Sequence, residues 1–279
     1  MKLIADSGST KTAWKLLDDS GLTHNLLTSG INPFFRSTED IYQDLNKTLL
    51  PKTGNEVEQI WFYGAGVANA ERGEVIRKAL AMIYPHSKIE VASDLLGASR
   101  ALLGNEKGIA CILGTGSNAC LYDGEKIVGN IPPLGFILGD EGSGAVMGKH
   151  LIGDYLKEVM PLELRQKFHK QFNIDKDEVL NRVYREQKPN LYLAGFTTFL
   201  SENIDSKYCA EFVSRNFTSF IERNVVHIPD YQNIEIGFVG SVAWHFSDIL
   251  KSVLSRFNLK KTVILKEPID GLVQYHIEN

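Results

Sequence analysis

The chain writes one pattern twice. Near its start, Lys2 to Ala5 reads as an apolar strand, Asp6-Ser7-Gly8-Ser9-Thr10-Lys11-Thr12 as a small polar loop, and Thr12 to Leu17 as a second strand that runs into Asp18-Asp19-Ser20-Gly21. Further on, Gly108 to Leu113 is a strand, Gly114-Thr115-Gly116-Ser117 a loop, Ala119 to Tyr122 a strand, and Asp123-Gly124 a hairpin turn. The copies share little sequence; the order of elements is what repeats. A strand–loop–strand unit stated twice implies two related halves, each presenting one small-residue loop.

Each half continues as alternating strand and helix, so the expected class is α/β. In the first, His24 to Ser29 is a third strand, Thr38 to Leu50 a helix, Gln59 to Tyr63 a strand, Glu71 to Tyr84 a helix, Lys88 to Ala92 a strand and Asp94 to Leu103 a helix. In the second, Gly195 is the only glycine between Asp154 and Ile236, and Phe212, Val213, Phe217, Phe220, Ile221 and Val225 fall on one helical face. These features imply a helical block over about 154–232. Glu235 to Val239 returns to strand, with a helix over 242–257, a strand over 262–266 and a short helix over 269–275 after it. A boundary near Leu103 to Lys107 gives domains of 1–105 and 106–279, a division that suits 279 residues.

A net charge of -4 with a pI near 6.0 argues against a nucleic-acid binder. No apolar run approaches the roughly 20 residues that span a bilayer. The start of the chain lacks the leader pattern, and the expected compartment is the cytoplasm. Cys111, Cys120 and Cys209 have no CxxC spacing and read as reduced, buried side chains. The seven histidines form no metal-binding motif.

The loops carry the chemistry. Gly8 lets backbone approach a ligand, Ser9, Thr10 and Thr12 offer hydroxyls, and Lys11 a cation; together they suit an anion. Asp6 would repel that anion unless Mg²⁺ lay between them. A polar hairpin turn explains the same residues. No GxxxxGK[ST] pattern is present, so this is not a P-loop. Gly114-Thr115-Gly116-Ser117-Asn118 is a second cradle or an ordinary turn. Gly139-Asp140-Glu141-Gly142-Ser143-Gly144 precedes a helix, with Asp140 or Ser143 as its cap; its three glycines suggest close packing on a ligand. Asp94 closes a strand and opens a helix, as an N-cap or as a carboxylate facing a ligand crevice and able to take a hydroxyl proton. Asn32, in Ser29-Gly30-Ile31-Asn32-Pro33, offers an amide to sugar groups. Gly237 to Ala243, with Gly240-Ser241 at the strand end, suits an adenine ring or a tight crossover.

Together these loops resemble the actin-like ATPase superfamily of sugar kinases, heat-shock-type ATPases and actin. Asp6 to Thr12 resembles its first phosphate motif, Gly114 to Asn118 the second, and Gly237 to Ala243 the adenosine motif. GTGSN followed by GDEGSG is similar to the N-acetylglucosamine kinase and BadF/BcrA-type ATPase family. The resemblance implies two duplicated ribonuclease H-like domains with an interdomain cleft that takes ATP, the helical block being an insertion in the second. Asp6 would organise Mg²⁺. Gly8, Ser9, Thr10, Lys11, Gly114, Thr115 and Gly116 would hold phosphate, and Gly240 and Ser241 adenosine. Asp94 would be the general base, with Asn32, Thr115, Ser117 and Asp140 as sugar contacts.

Two departures bear on the substrate. The animal-type kinases carry Trp-Gly-His before GDEGS, whereas Pro132-Pro133-Leu134-Gly135-Phe136-Ile137-Leu138 stands here, so the choice among amino sugars stays open. None of the three cysteines suits the iron–sulfur ligation of BcrA-type activators. The expectation is an ATP-dependent amino-sugar kinase, N-acetylglucosamine first, with an ATP-driven switch lacking a sugar acceptor as the alternative. The long apolar helical faces also suit a homodimer.

Overall fold

A computed structural model of the chain describes residues 1–8, 10–18, 21, 23–259 and 262–279. The described chain divides into two compact units, Met1–Glu106 with Glu267–Asn279, and Lys107–Lys266.

Unit 1 runs β1 (Lys2–Ser7), β2 (Lys11–Leu17), β3 (Thr23–Ser29), α1 (Thr38–Thr48), α2 (Leu50–Thr53), β4 (Gln59–Gly64), α3 (Ala70–Ile83), β5 (Lys88–Ser93) and α4 (Asp94–Leu103). Its sheet has the order β3-β2-β1-β4-β5, antiparallel across β3-β2-β1 and parallel across β1-β4-β5. Strands β1 and β4 read as unbroken apolar runs because both faces are covered. Leu3, Ala5, Ile60 and Phe62 pack with Ile41, Leu45, Ile76 and Leu80 of α1 and α3. Ile4, Trp61 and Tyr63 face the other way.

Unit 2 runs β6 (Gly108–Leu113), β7 (Ser117–Tyr122), β8 (Ile127–Ile131), α5 (Gly135–Leu138), α6 (Gly144–Leu156), α7 (Leu162–Phe172), α8 (Lys176–Tyr184), α9 (Pro189–Gly195), α10 (Thr197–Glu202), α11 (Lys207–Asn224), β9 (Glu235–Val239), α12 (Ser241–His245), α13 (Ser247–Arg256) and β10 (Thr262–Leu265). The sheet order β10-β9-β6-β7-β8 repeats unit 1 strand for strand, with the same senses of pairing. The glycine-poor stretch is the helical insertion, and its aromatic residues build the core around Phe168, Phe199, Phe217 and Phe220.

Four local expectations change. Strand β8 escapes the sequence reading because it is short, contains Gly129 and alternates only weakly in burial. The helix expected over 242–257 is two, α12 and α13, with a non-helical Phe246 between them whose ring is buried. The helix expected over 38–50 ends at Thr48, and Pro51 opens the separate α2. The tail from Glu267 groups with unit 1 and not with the second half: α14 (Ile269–Glu278) buries Ile269 and Leu272 against Ile4, Leu17, Trp61 and Tyr63. Ser9 and the turn residues Asp19 and Ser20 lie outside the described residues. Among the described residues, no helix is long and apolar enough to cross a membrane.

Candidate active site

In unit 1, β1, β3, β4 and β5 all run the same way, so their carboxyl ends share one edge. Asp6, Asn32, Gly64-Ala65-Gly66 and Asp94 all stand there, the edge where open α/β sheets hold ligands.

The first loop divides its hydroxyls between two tasks. Ser7 and Thr12 are buried and bonded to each other at 2.7 Å; Ser7 Oγ also accepts from Ile31 N–H at 3.0 Å, and Thr12 Oγ1 donates to the Ser29 carbonyl. Thr12 therefore rivets β1, β2 and β3 together and is not a ligand donor. Gly8, Thr10 and Lys11 remain exposed. Lys11 Nζ donates to Glu267 Oε1 at 2.6 Å. The sequence gives no sign of this partner, which arrives from the far end of the chain.

Asp6 and Asp94 are both raised carboxylates of this edge. Burial, then the charges of Asp94 and Glu267, push the Asp6 pKa up from 3.8 to about 7, against a lowering by Lys11. A carboxylate so crowded by like charge gains from a divalent cation. Oxygen donors only, with one or two carboxylates, suit Mg²⁺, which keeps most of its waters. Among the described residues no cluster of three or more metal-ligating side chains is preformed, so Asp6 fits an organising role and not a closed cage.

Asp94 is not the helix cap that its position suggests. Ser93 fills that role, its Oγ accepting from Leu96 N–H at 3.2 Å. Asp94 is the first helical residue; one carboxylate oxygen accepts from Leu95 N–H at 2.8 Å, and desolvation raises its pKa. Asn32 caps a turn of its own: its Oδ1 accepts from Phe34 N–H at 2.9 Å, which turns Nδ2 into the group available to a ligand. That oxygen lies where a Cβ on Gly66, at φ +83°, would stand.

In unit 2 the second loop is held from behind. Gly144 N–H and Ala145 N–H, at the start of α6, donate to the carbonyls of Gly114 and Thr115 at 2.8 and 3.1 Å. Among the described residues, the Thr115 and Gly116 N–H groups and the Thr115 hydroxyl have no hydrogen-bond partner. Ser117 is buried, and its hydroxyl donates to the Glu141 carbonyl at 2.8 Å, so it ties two loops together and is not presented as a sugar contact. Asp140, at φ +55°, accepts from Gly135 N–H at 3.1 Å; its other oxygen would lie 2.9 Å from a Cβ on Gly116. Desolvation raises its pKa. Ser143, not Asp140, caps α6.

The glycines of Gly139 to Gly144 serve protein packing. A Cβ on Gly142 would lie 2.8 Å from Phe220, and one on Gly144 3.3 Å from the Gly114 carbonyl. Gly240 at φ +126° presses on the Leu113 carbonyl with no room for a side chain. Ser241 is exposed and opens α12 beside a depression of about 190 Å³. Thr197, Ser201, Glu202 and His245 also line it. The sequence reading missed these four; hydroxyls at 197, 198 and 201 share one helical face, the only signal available. A larger depression of about 270 Å³, lined by Trp61, Glu90 and Arg100, contains none of the expected site residues.

Residues 5–233 match the BadF/BadG/BcrA/BcrD ATPase family. The fold superposes on that of a candidate N-acetylglucosamine kinase from Porphyromonas gingivalis with a TM-score of 0.94 and 42% identity, over 100% of this chain and 99% of that one. A ROK family glucokinase from Streptomyces griseus, in complex with glucose and AMPPNP, shares the fold at a TM-score of 0.58 and 13% identity, over 98% of this chain and 97% of that one. A glucosamine kinase from Vibrio cholerae is 36% identical over 95 residues, 33% of this chain; the match spans 31% of that protein's length.

Proposed function

We propose, since the chain belongs to the BadF/BadG/BcrA/BcrD ATPase family and has the two-unit actin-like ATPase fold, that it transfers a phosphoryl group from ATP to a hydroxyl of an amino sugar, N-acetylglucosamine first among them. The full-length likeness to the candidate N-acetylglucosamine kinase and the shorter one to the glucosamine kinase support this choice.

The observation that carries the reading is the freedom of Asp94. A helix that needed only a cap has one in Ser93, yet it places a second acid directly after it, at the carboxyl end of β5 and close enough to Asp6 for their charges to interact. On the same sheet edge as the Asn32 amide, such a base suits an acceptor hydroxyl. In a kinase, Asp94 accepts the proton of the attacking hydroxyl, and its raised pKa brings it nearer the range where a base works well. In unit 1, Asn32 Nδ2 donates to an acceptor oxygen; in unit 2, Asp140 is assigned to a sugar hydroxyl.

Phosphoryl transfer asks the protein chiefly for position and charge neutralisation. In unit 1, Gly8, Ser9, Thr10 and Lys11 are assigned to phosphate; in unit 2, the N–H groups of Thr115 and Gly116, with Gly114, are. Lys11 Nζ, exposed and carrying three N–H donors, meets a phosphate oxygen beside Glu267 or in its place. Mg²⁺ held by Asp6 would neutralise charge on the phosphates. Ser241 and the depression beside it take the adenosine, with Gly240 keeping that corner close to the second loop.

The test is Asp94→Asn. Turnover on N-acetylglucosamine is expected to fall about 10³-fold, the weight of a general base, with ATP binding changed less than about twofold. Near-wild-type turnover in the variant overturns the role of Asp94. ATP hydrolysis by the wild type that no sugar stimulates overturns the kinase reading in favour of an ATP-driven switch.

A further inference from the structure

The turn that presents Asn32 is held by polar braces rather than by a core. Ile31 and Pro33 are buried, but Phe34 and Phe35 are 54% and 76% exposed, so burial alone does not fix the turn's shape. Within the turn, Phe35 N–H and Arg36 N–H donate to the Asn32 carbonyl, and Arg36 Nη1 donates to that of Gly30 at 3.1 Å while pairing with Asp44. The brace from outside is Arg72, in the first turn of α3. Its Nη1 donates to the Pro33 carbonyl at 3.1 Å, and its guanidinium carbon lies 4.4 Å from the centre of the Phe34 ring. Arg72 N–H is itself held by the Asn69 side chain at 2.9 Å. One side chain thus grips both residues that follow Asn32 and ties them to the helix after β4.

We propose that Arg72 is a positioning residue for the acceptor: without touching the sugar, it fixes the Asn32 amide through Pro33 and Phe34. The inference rests on the reading that Asn32 Nδ2 meets the acceptor. A long planar guanidinium, able to donate to a carbonyl and lie on a ring at once, suits this task better than an ammonium does. Misplacing a binding group by about 1 Å can cost as much as 10²-fold.

The experiment measures kcat, KM for N-acetylglucosamine and KM for ATP, with the melting temperature, in wild type, Arg72→Ala, Arg72→Lys, Asn32→Ser and the double variant Asn32→Ser/Arg72→Ala. Arg72→Ala is expected to raise KM for the sugar about tenfold, leaving KM for ATP within about twofold. Arg72→Lys, which keeps a cation and a hydrogen-bond donor but not the planar fork, should recover part of that loss. The double variant should be no worse for the sugar than Asn32→Ser alone, because Arg72 then has no amide left to position. Multiplying effects in the double variant overturn the proposal, and so does an equal rise in both KM values. If Arg72→Ala does not fold, Arg72→Lys alone and combined with Asn32→Ser decides by the same criteria. A wild type that phosphorylates no amino sugar sinks the parent reading and this one with it; wild-type turnover with an unaltered Arg72→Ala sinks this one alone.

Discussion

In unit 1 the hairpin loop is pinned at its roots: Ser7 and Thr12 are buried and lock the ends of three strands, while Gly8 and Thr10 stay open to solvent. In unit 2 the corresponding loop is pinned nearer its tip, where α6 takes the Gly114 and Thr115 carbonyls and Asp140 crowds Gly116. The strand order is the same in both sheets, so the difference lies in the segment beyond the third strand. After β3 comes the Asn32 turn; after β8 come α5, the Asp140 loop and the inserted helices. The duplicated scaffold repeats where a loop emerges. How firmly the loop is held, and which of its groups stay free, depends on the segment placed behind it.

The largest break in this comparison is expected from Gly240→Ala. The residue would adopt φ +126° and drive a Cβ into the Leu113 carbonyl at the root of the second loop. A loss of about 3 kcal/mol or more, read by denaturant unfolding, should follow; a loss under about 1 kcal/mol would mean that this corner yields freely.

Asp6→Asn should produce the next largest change, and of opposite sign. Folded Asp6 titrates near 7 against an ordinary 3.8, so the native state holds a proton that the unfolded chain has released. Without metal, wild-type stability from this group is full below about pH 4 and lost as pH rises through 7. Asn keeps the neutral form throughout. The variant should match the wild type at pH 4, melt several degrees higher at pH 8, and lose magnesium-dependent turnover. Melting curves that coincide at pH 8 would refute the strain assigned to Asp6.

Alanine in the two loops sharpens the comparison directly. Gly116→Ala meets Asp140 at 2.9 Å and should cost about 1–2 kcal/mol with a raised KM for substrate, whereas Gly8→Ala, among the described residues, finds nothing nearer than 3.8 Å and should cost under about 1 kcal/mol. Equal costs would show that the two tips are equally confined. The smallest effect is expected from Glu267→Gln. The Lys11 pair is exposed and worth under about 1 kcal/mol to stability, but freeing Lys11 should lower KM for ATP two- to threefold. A higher KM would make Glu267 a support for Lys11 and not its competitor.

Much of this architecture was legible in the chain. Strands β1, β4, β6 and β9 could be read because burial on both faces writes an unbroken apolar run, and Asp94 could be placed because a strand end and a helix start meet there. The family resemblance carried by GTGSN and GDEGSG is borne out. The partners were not legible. Nothing near Ser117 predicts that its hydroxyl is spent on the Glu141 carbonyl, and nothing near Lys11 points to Glu267. Nor does the composition of Gly139 to Gly144 tell whether its glycines admit a ligand or Phe220 and the Gly114 carbonyl.

The sequence by itself determined the duplication, the α/β class, the helical insertion and the set of loops in which chemistry can reside, because those arise from local periodicity and turn composition. The tertiary structure decided which loop hydroxyls are buried rivets and which are free, that Ser93 releases Asp94 from capping, and that the tail returns to unit 1. The Ser93 cap is settled within one helical turn, by backbone geometry that composition does not show; the others depend on hydrogen-bond and packing partners far apart in the chain, and a polar group's availability is set by the partner it finds when water is excluded.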